Sequence, residues 1–182
     1  MEVVTRMPDQ QRTDVLASAA AGDEVAFRRI IAEHQEDMRR VCLAIAKDHA
    51  IADEAVQAAW LVAWKKLDKV HGPEQLRPWL VSVAVNEAKQ LLRKRRRRAE
   101  YETAAGVSSA SGGIDPATGV AELDLDAAMS RLDPDDHALL AMRYVAGFDS
   151  NELARATGIS PSGTRSRIER LLKRLREDLL DG

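Results

Sequence analysis

Apolar positions recur along this chain at steps of three and four. Phe27, Ile30, Ile31, Met38, Val41, Cys42 and Ile45, with His34 on the same stripe, trace one helical face whose start is marked by Gly22-Asp23. A second helix is expected from near Asp53, burying Val56, Ala59, Trp60, Ala63, Trp64 and Leu67. After the loop Lys69–Pro73, a third carries Leu76, Trp79, Leu80, Val83 and Leu91 and runs into six consecutive cations, Arg93–Arg98. Residues 1–21 read as a loose lead-in with some helical content. From Tyr101 to Val120 the pattern stops. The Gly/Ser/Ala stretch there buries too little apolar area to order itself and predicts a flexible tether.

Periodicity resumes at Leu123, Leu125, Ala128, Met129 and Leu132. Asp133-Pro134 supplies a cap and a first-turn proline for a helix over 135–145, which Gly147 ends. Ser150 is expected to cap a short helix over 151–157, Gly158 to make a turn, and Ser160-Pro161 to start a last helix reaching Leu180. No strand-like alternation occurs. The expected fold is all-α: a lead-in over 1–21, a helical domain over 22–98, an acidic linker over 99–122 and a second helical domain over 123–182.

Composition sharpens this picture. Hydrophobic residues make up 45% but aromatics only 4%, so the core must be aliphatic, which suits helices. The net charge of −2 conceals an asymmetry: residues 1–98 balance at +4, 99–136 at −8 and 137–182 at +2. Two basic-leaning pieces flank an acidic one, and this distribution informs where the net charge, which argues against simple nucleic-acid binding, does not. No stretch approaches the roughly 20 apolar residues of a membrane span and no signal peptide opens the chain, so a cytoplasmic location is expected. Cys42 has no Cys or His at ligand spacing and reads as a buried thiol. His34, His49, His71 and His137 share no ligand spacing, and neither a phosphate-cradling loop nor a nucleophile elbow occurs. Neither enzyme activity, nor a cofactor, nor a metal is expected. Asp53-Glu54 and Asp135-Asp136 read as first-turn carboxylates that meet a helix dipole.

The most specific signal is Glu152–Ser160 followed by a basic helix. Ala154 permits close helix approach and Gly158 the left-handed turn of a helix–turn–helix. Its second helix would lie in the major groove with Ser162, Arg165, Ser166 and Arg167 near base edges. Arg170, Lys173 and Arg174 remain for phosphates, and Ile168, Leu171, Leu172, Leu175 and Leu179 would face the core. The alternative is a plain helical hairpin, against which stand six basic residues and one acid between Arg165 and Arg176. In the first domain, Trp79 and Asn86 lie seven residues apart on one face beside the cationic run. That arrangement suits stacking on unpaired bases while holding phosphates. Core packing is the competing reading for Trp79, and the preferred one for Trp60 and Trp64.

In this order the parts resemble an extracytoplasmic-function (ECF) sigma factor, with Gly22–Arg98 similar to region 2 and Leu123–Leu180 to region 4. The resemblance implies a bacterial initiation factor that binds core RNA polymerase, engages promoter DNA as duplex and as non-template single strand, and is held by an anti-sigma factor. Residues 52–64, Ala-Asp-Glu-Ala-Val-Gln-Ala-Ala-Trp-Leu-Val-Ala-Trp, look like the polymerase-docking segment, with Asp53, Glu54, Gln57 and Trp60 as contacts. Leu76–Leu80 and Val85-Asn86 are similar to the helix reading the minus-ten element. This implies a site from Val70, His71, Gly72, Trp79, Asn86, Lys89, Arg93, Arg95, Arg96 and Arg97. The final helix would read the minus-thirty-five element through Ser162, Thr164, Arg165, Ser166, Arg167, Arg170, Lys173 and Arg174. Where the family has Gly-Thr-Val-Lys-Ser-Arg, this chain has Ser162-Gly163-Thr164-Arg165-Ser166-Arg167, so Thr164 takes an apolar position. A dimeric helix–turn–helix regulator would instead require a dimerisation surface, and a helical adaptor would bind no DNA.

Overall fold

Helices begin here where a short polar side chain satisfies the first free N–H groups. Asp23 accepts from the Val25 and Ala26 amides at 2.8 and 3.2 Å and starts α2 (Glu24–Ala46). Asp48 does the same for Ala50 and Ile51, so α3 (His49–Lys66) begins four residues before the expected Asp53. Between them Lys47 turns the chain at φ 51°, a left-handed conformation in which glycine is more usual. The computed structural model describes residues 9–104, 125, 127–129 and 131–180, and among these it contains helices and no strand. None of these helices is long and apolar enough to cross a membrane, and no group of three potential metal ligands occurs among the described residues.

The lead-in holds a helix, α1 (Asp9–Ala20), which buries Val15, Leu16 and Ala19 against α2. Its three apolar contacts in twelve residues are too sparse to stand out as a stripe. A short 3₁₀ turn over Leu67–Lys69 follows α3 and leads to α4 (Pro73–Ala104). The alanines of α3 (52, 55, 59 and 63) are fully buried and admit Leu80, Val81, Ala84 and Ala88 of α4 at close range. Pro78 lies inside α4 and removes one hydrogen bond, the one to the Glu74 carbonyl. Beyond Leu92 the helix is exposed. It continues six residues past the expected boundary at 98 because Arg96 pairs with Glu100 at 2.9 Å and Arg98 with Glu102 at 2.7 Å, each one turn apart. The rest of the expected linker, 105–122, lies outside the described residues.

Residues 125 and 127–129 are helical, and three helices follow: α5 (Pro134–Tyr144), α6 (Ser150–Thr157) and α7 (Pro161–Leu180). The cap of α6 is Asp149 rather than the expected Ser150. Its carboxylate accepts from Asn151 and Glu152 while Glu152 reaches back to the Asp149 amide at 3.0 Å, a reciprocal capping box. Leu139, Phe148, Leu153, Ile168, Leu171 and Leu175 form this block's centre, whereas Leu179, expected there, is 40% exposed. The block does not stand apart: α6 lies on α4 and α5 on α2.

Candidate functional site

Three surfaces carry the residues singled out by sequence. On α3, Asp53, Glu54 and Gln57 are exposed, and Asp53 is held by Arg39 at 2.9 Å. Trp60 is half-buried, its ring edge-on to Phe27 at 5.7 Å, with an indole N–H that is buried and unpartnered. Trp64 does not enter the core as expected. It stacks edge-on against Phe27 at 4.9 Å and stays 42% exposed beside the more exposed Leu61, so this face is more apolar than its charges suggested.

The second surface begins at the loop after the 3₁₀ turn. His71 is exposed, and Gln75 closes the loop through the His71 carbonyl at 3.2 Å. Gly72 sits at φ 130°, where a Cβ would also run into the Glu74 carboxylate. Val70 is turned inward, which removes it from the candidate contacts: it anchors the loop. Asn86 and Lys89 stand on one side of a cleft of about 260 Å³. The other side comes from the second block, with Asp135, Leu139 and Met142 of α5, Thr157 of α6 and Arg167 of α7. Lys89, only 13% exposed, pairs with Asp135. Trp79 lies partly buried against the core cluster. In the cationic run, Arg95 pairs with Asp48 at 2.7 Å, and Arg96 and Arg98 with the acids one turn on, whereas Lys94 and Arg97 have no ion pair among the described residues.

The third surface is the helix–turn–helix of α6, Gly158 at φ 73° and α7. Ser160 accepts from the Gly163 amide at 3.1 Å, capping α7 as expected. Ser162, Arg165, Ser166, Arg170, Lys173 and Arg174 are exposed along α7. Arg167 is drawn back onto Asp136 at 2.6 Å, with Arg174 3.7 Å from the same carboxylate. Thr164 is fully buried and leaves the set of direct DNA contacts. Its hydroxyl donates to the Pro161 carbonyl at 2.9 Å, which explains how a polar residue fills an apolar position. Thr164→Val is therefore expected to change stability by about 1 kcal/mol or less, with base preference unchanged. Thermal melting and binding to single-base-changed duplexes check this. Gly163, not singled out by the sequence, is required by close approach: a Cβ there would come 2.8 Å from the Ile159 side chain.

A residue the sequence missed joins these surfaces. Arg77, 15% exposed, donates from Nε to Asp37 at 2.7 Å, from Nη1 to Glu152 at 2.8 Å and from Nη2 to the Ala146 carbonyl, with its guanidinium 4.5 Å over the Phe148 ring. Burial would raise the Asp37 carboxyl, but hydrogen bonds from Arg77 and Arg40 outweigh it and hold it below its ordinary value. The Lys89 ammonium lowers Asp135 likewise. Since both are depressed, what these groups contribute is complete at neutral pH and is lost only as pH falls through the acid range below about 3.9. Only a long-range partner marks Arg77, and no sequence period reports one.

One helical block ends in a cationic helix and the other presents the exposed face of a helix–turn–helix, a motif whose second helix can lie in a DNA groove. Residues 30–98 match Sigma-70 region 2 and residues 122–175 match Sigma-70 region 4. The chain belongs to the sigma-70 family of RNA polymerase sigma factors, in the ECF group built from regions 2 and 4, whose members direct promoter recognition and transcription initiation. It is 32% identical over 173 residues to the probable RNA polymerase sigma factor RfaY of Xanthomonas campestris pv. campestris; the match covers 91% of this chain and 43% of that one. It is 28% identical over 160 residues to the RNA polymerase sigma factor CarQ of Myxococcus xanthus, covering 86% and 90%. The structure of CnrH in complex with the cytosolic domain of CnrY superposes with a TM-score of 0.67 at 25% identity, covering 95% of this chain and 98% of that one.

Proposed function

We propose that this chain binds core RNA polymerase through α3, reads the minus-ten element with the loop at His71-Gly72 and the α4 face of Trp79, Asn86 and Lys89, and reads the minus-thirty-five element with α7. The observation that carries this reading is the exposure of Arg165 in the second turn of a capped helix, at the position from which a recognition helix reaches base edges. Arg93, Arg95, Arg96 and Arg97 supply sequence-independent affinity for phosphates. The region boundaries follow the proposed domains, 22–98 and 123–182. The work of such a factor is in the cytoplasm, and an anti-sigma factor is the expected regulator, since the similar sigma factor RpoE was solved in complex with the anti-sigma factor NepR from Bartonella quintana.

The test uses holoenzyme binding to wild-type and single-base-changed promoters at several salt concentrations. Arg165→Ala should remove about 1–3 kcal/mol of discrimination at one upstream base pair and leave the salt slope little changed. Neutralising Arg96 and Arg97 should weaken all promoters alike and flatten the slope by about 0.9 per lost duplex phosphate contact. Equal loss on every upstream sequence for Arg165→Ala would reduce that residue to a phosphate clamp, and an untouched slope would reduce the run to a solvated tail.

A further inference from the structure

We propose that Gln90 is a specificity-determining residue: it reads an adenine edge in the base pairs just upstream of the opened strand, while Lys94 and Arg97 hold the neighbouring phosphates. The inference rests on the assignment of α4 above and adds to it a residue that it does not contain. Three observations carry it. Trp79, Asn86, Gln90, Lys94 and Arg97 follow one another at steps of seven, four, four and three, and so share one stripe of α4. All but Trp79 are exposed, and Gln90 stands about 6 Å beyond Asn86 and about 6 Å short of Lys94 at 1.5 Å per residue. It therefore lies between the face suited to unpaired bases and the run suited to phosphates. Nothing in the fold uses its amide, which makes no hydrogen bond among the described residues. The recess of about 400 Å³ beside it is also polarised: half-buried Glu87 and Gln90 stand at one end, Lys94 and Arg97 at the other, and Leu91 lies between.

That polarity orients a nucleotide. A phosphate is repelled from the Glu87 end and attracted to the Lys94 end, so the backbone faces the cations and the base edge faces Gln90. Among the bases, adenine matches both groups of the amide at its major-groove edge, where N6 donates and N7 accepts. The cationic run divides in the same sense. Arg95, Arg96 and Arg98 are each held by a carboxylate. Lys94 has no ion pair among the described residues, and Arg97 donates only to the Arg93 carbonyl, at 3.4 Å. Both cations on the Gln90 stripe are thus left to an outside anion.

The experiment is holoenzyme binding to promoters in which the base pairs at the upstream edge of the minus-ten element are changed one at a time. The parent chain is compared with Gln90→Leu, Gln90→Arg and Lys94→Ala. Leucine and arginine are as helix-prone as glutamine and the position is exposed, so the fold is kept. The parent should prefer A·T at one of these pairs by about tenfold or more. Gln90→Leu should lose that preference alone, with the preferences elsewhere in the element and the salt slope unchanged. Gln90→Arg should transfer it to G·C, because a guanidinium pairs with guanine O6 and N7. A merely solvated or structural side chain would not exchange one base for another. Lys94→Ala should weaken all sequences alike and flatten the slope by about 0.9. Equal loss on every sequence for Gln90→Leu, or the parent's preference retained in both Gln90 variants, overturns the reading role. A parent indifferent at these pairs but discriminating at the unpaired positions overturns it too and leaves the α4 assignment standing. No discrimination anywhere in the element overturns both.

Discussion

Phe148→Ala is expected to destabilise the second block by about 3–5 kcal/mol, enough to melt it ahead of the first. The ring is fully buried in the turn between α5 and α6, and the backbone around it is fixed at both polar groups: its amide donates to the Met142 carbonyl at 3.0 Å and its carbonyl accepts from Arg143 at 2.7 Å. The turn therefore cannot collapse onto the cavity that alanine would leave. A block of three helices has little stability in reserve, because small domains bury a small share of their surface. The same change removes the face on which the Arg77 guanidinium rests. Calorimetry of the full chain should show the transition assigned to α5–α7 shifted down or lost while that of α1–α4 persists. A melting profile superimposable on that of the parent would show that the packing around Phe148 is not what holds the block.

On the polymerase side, Asp53→Arg combined with Gln57→Ala should weaken binding to core polymerase by about 2 kcal/mol or more, roughly thirtyfold. Both residues are exposed on α3, so little intramolecular structure depends on them. The one pair broken, Asp53 with Arg39, is half-exposed on both sides, and the new arginine would face Arg39 across solvent, where repulsion is screened. Circular dichroism should thus remain native while a titration of labelled core enzyme shifts. Native helicity with unchanged affinity would remove α3 as the docking helix. Leu61 and Trp64 extend the same face in apolar form and would then be the next residues to replace.

The helices were legible because burial leaves a period in the sequence. The stripe Phe27–Ile45 became α2, and the two Xaa-Pro starts at Asp133 and Ser160 became α5 and α7 with the expected caps. Helix starts were legible only where the cap lay beside the apolar stripe. Asp48 lies outside the stripe of α3, and Asp149 sits next to an equally eligible Ser150, so the caps of α3 and α6 were misplaced. Most of the candidate DNA-contacting cations are exposed, but exposure is a property of the fold and not of the local sequence. Lys89 and Arg167 are tied to acids 46 and 31 residues away. No local pattern carries such a distance. Thr164 was counted among the DNA contacts although it takes an apolar position; it is fully buried, and the Pro161 carbonyl makes its buried hydroxyl acceptable.

Helix α4 is also a ruler. It runs unbroken from the loop at His71-Gly72 to the end of the cationic run, and Trp79 and Arg96 lie on it about 26 Å apart at 1.5 Å per residue. At about 3.4 Å per base pair, that span equals some seven to eight base pairs of duplex. On the proposed reading, the face that meets unpaired bases and the run that meets phosphates are therefore spaced by the rise of one helix rather than by a hinge. Such a promoter would be measured as well as read.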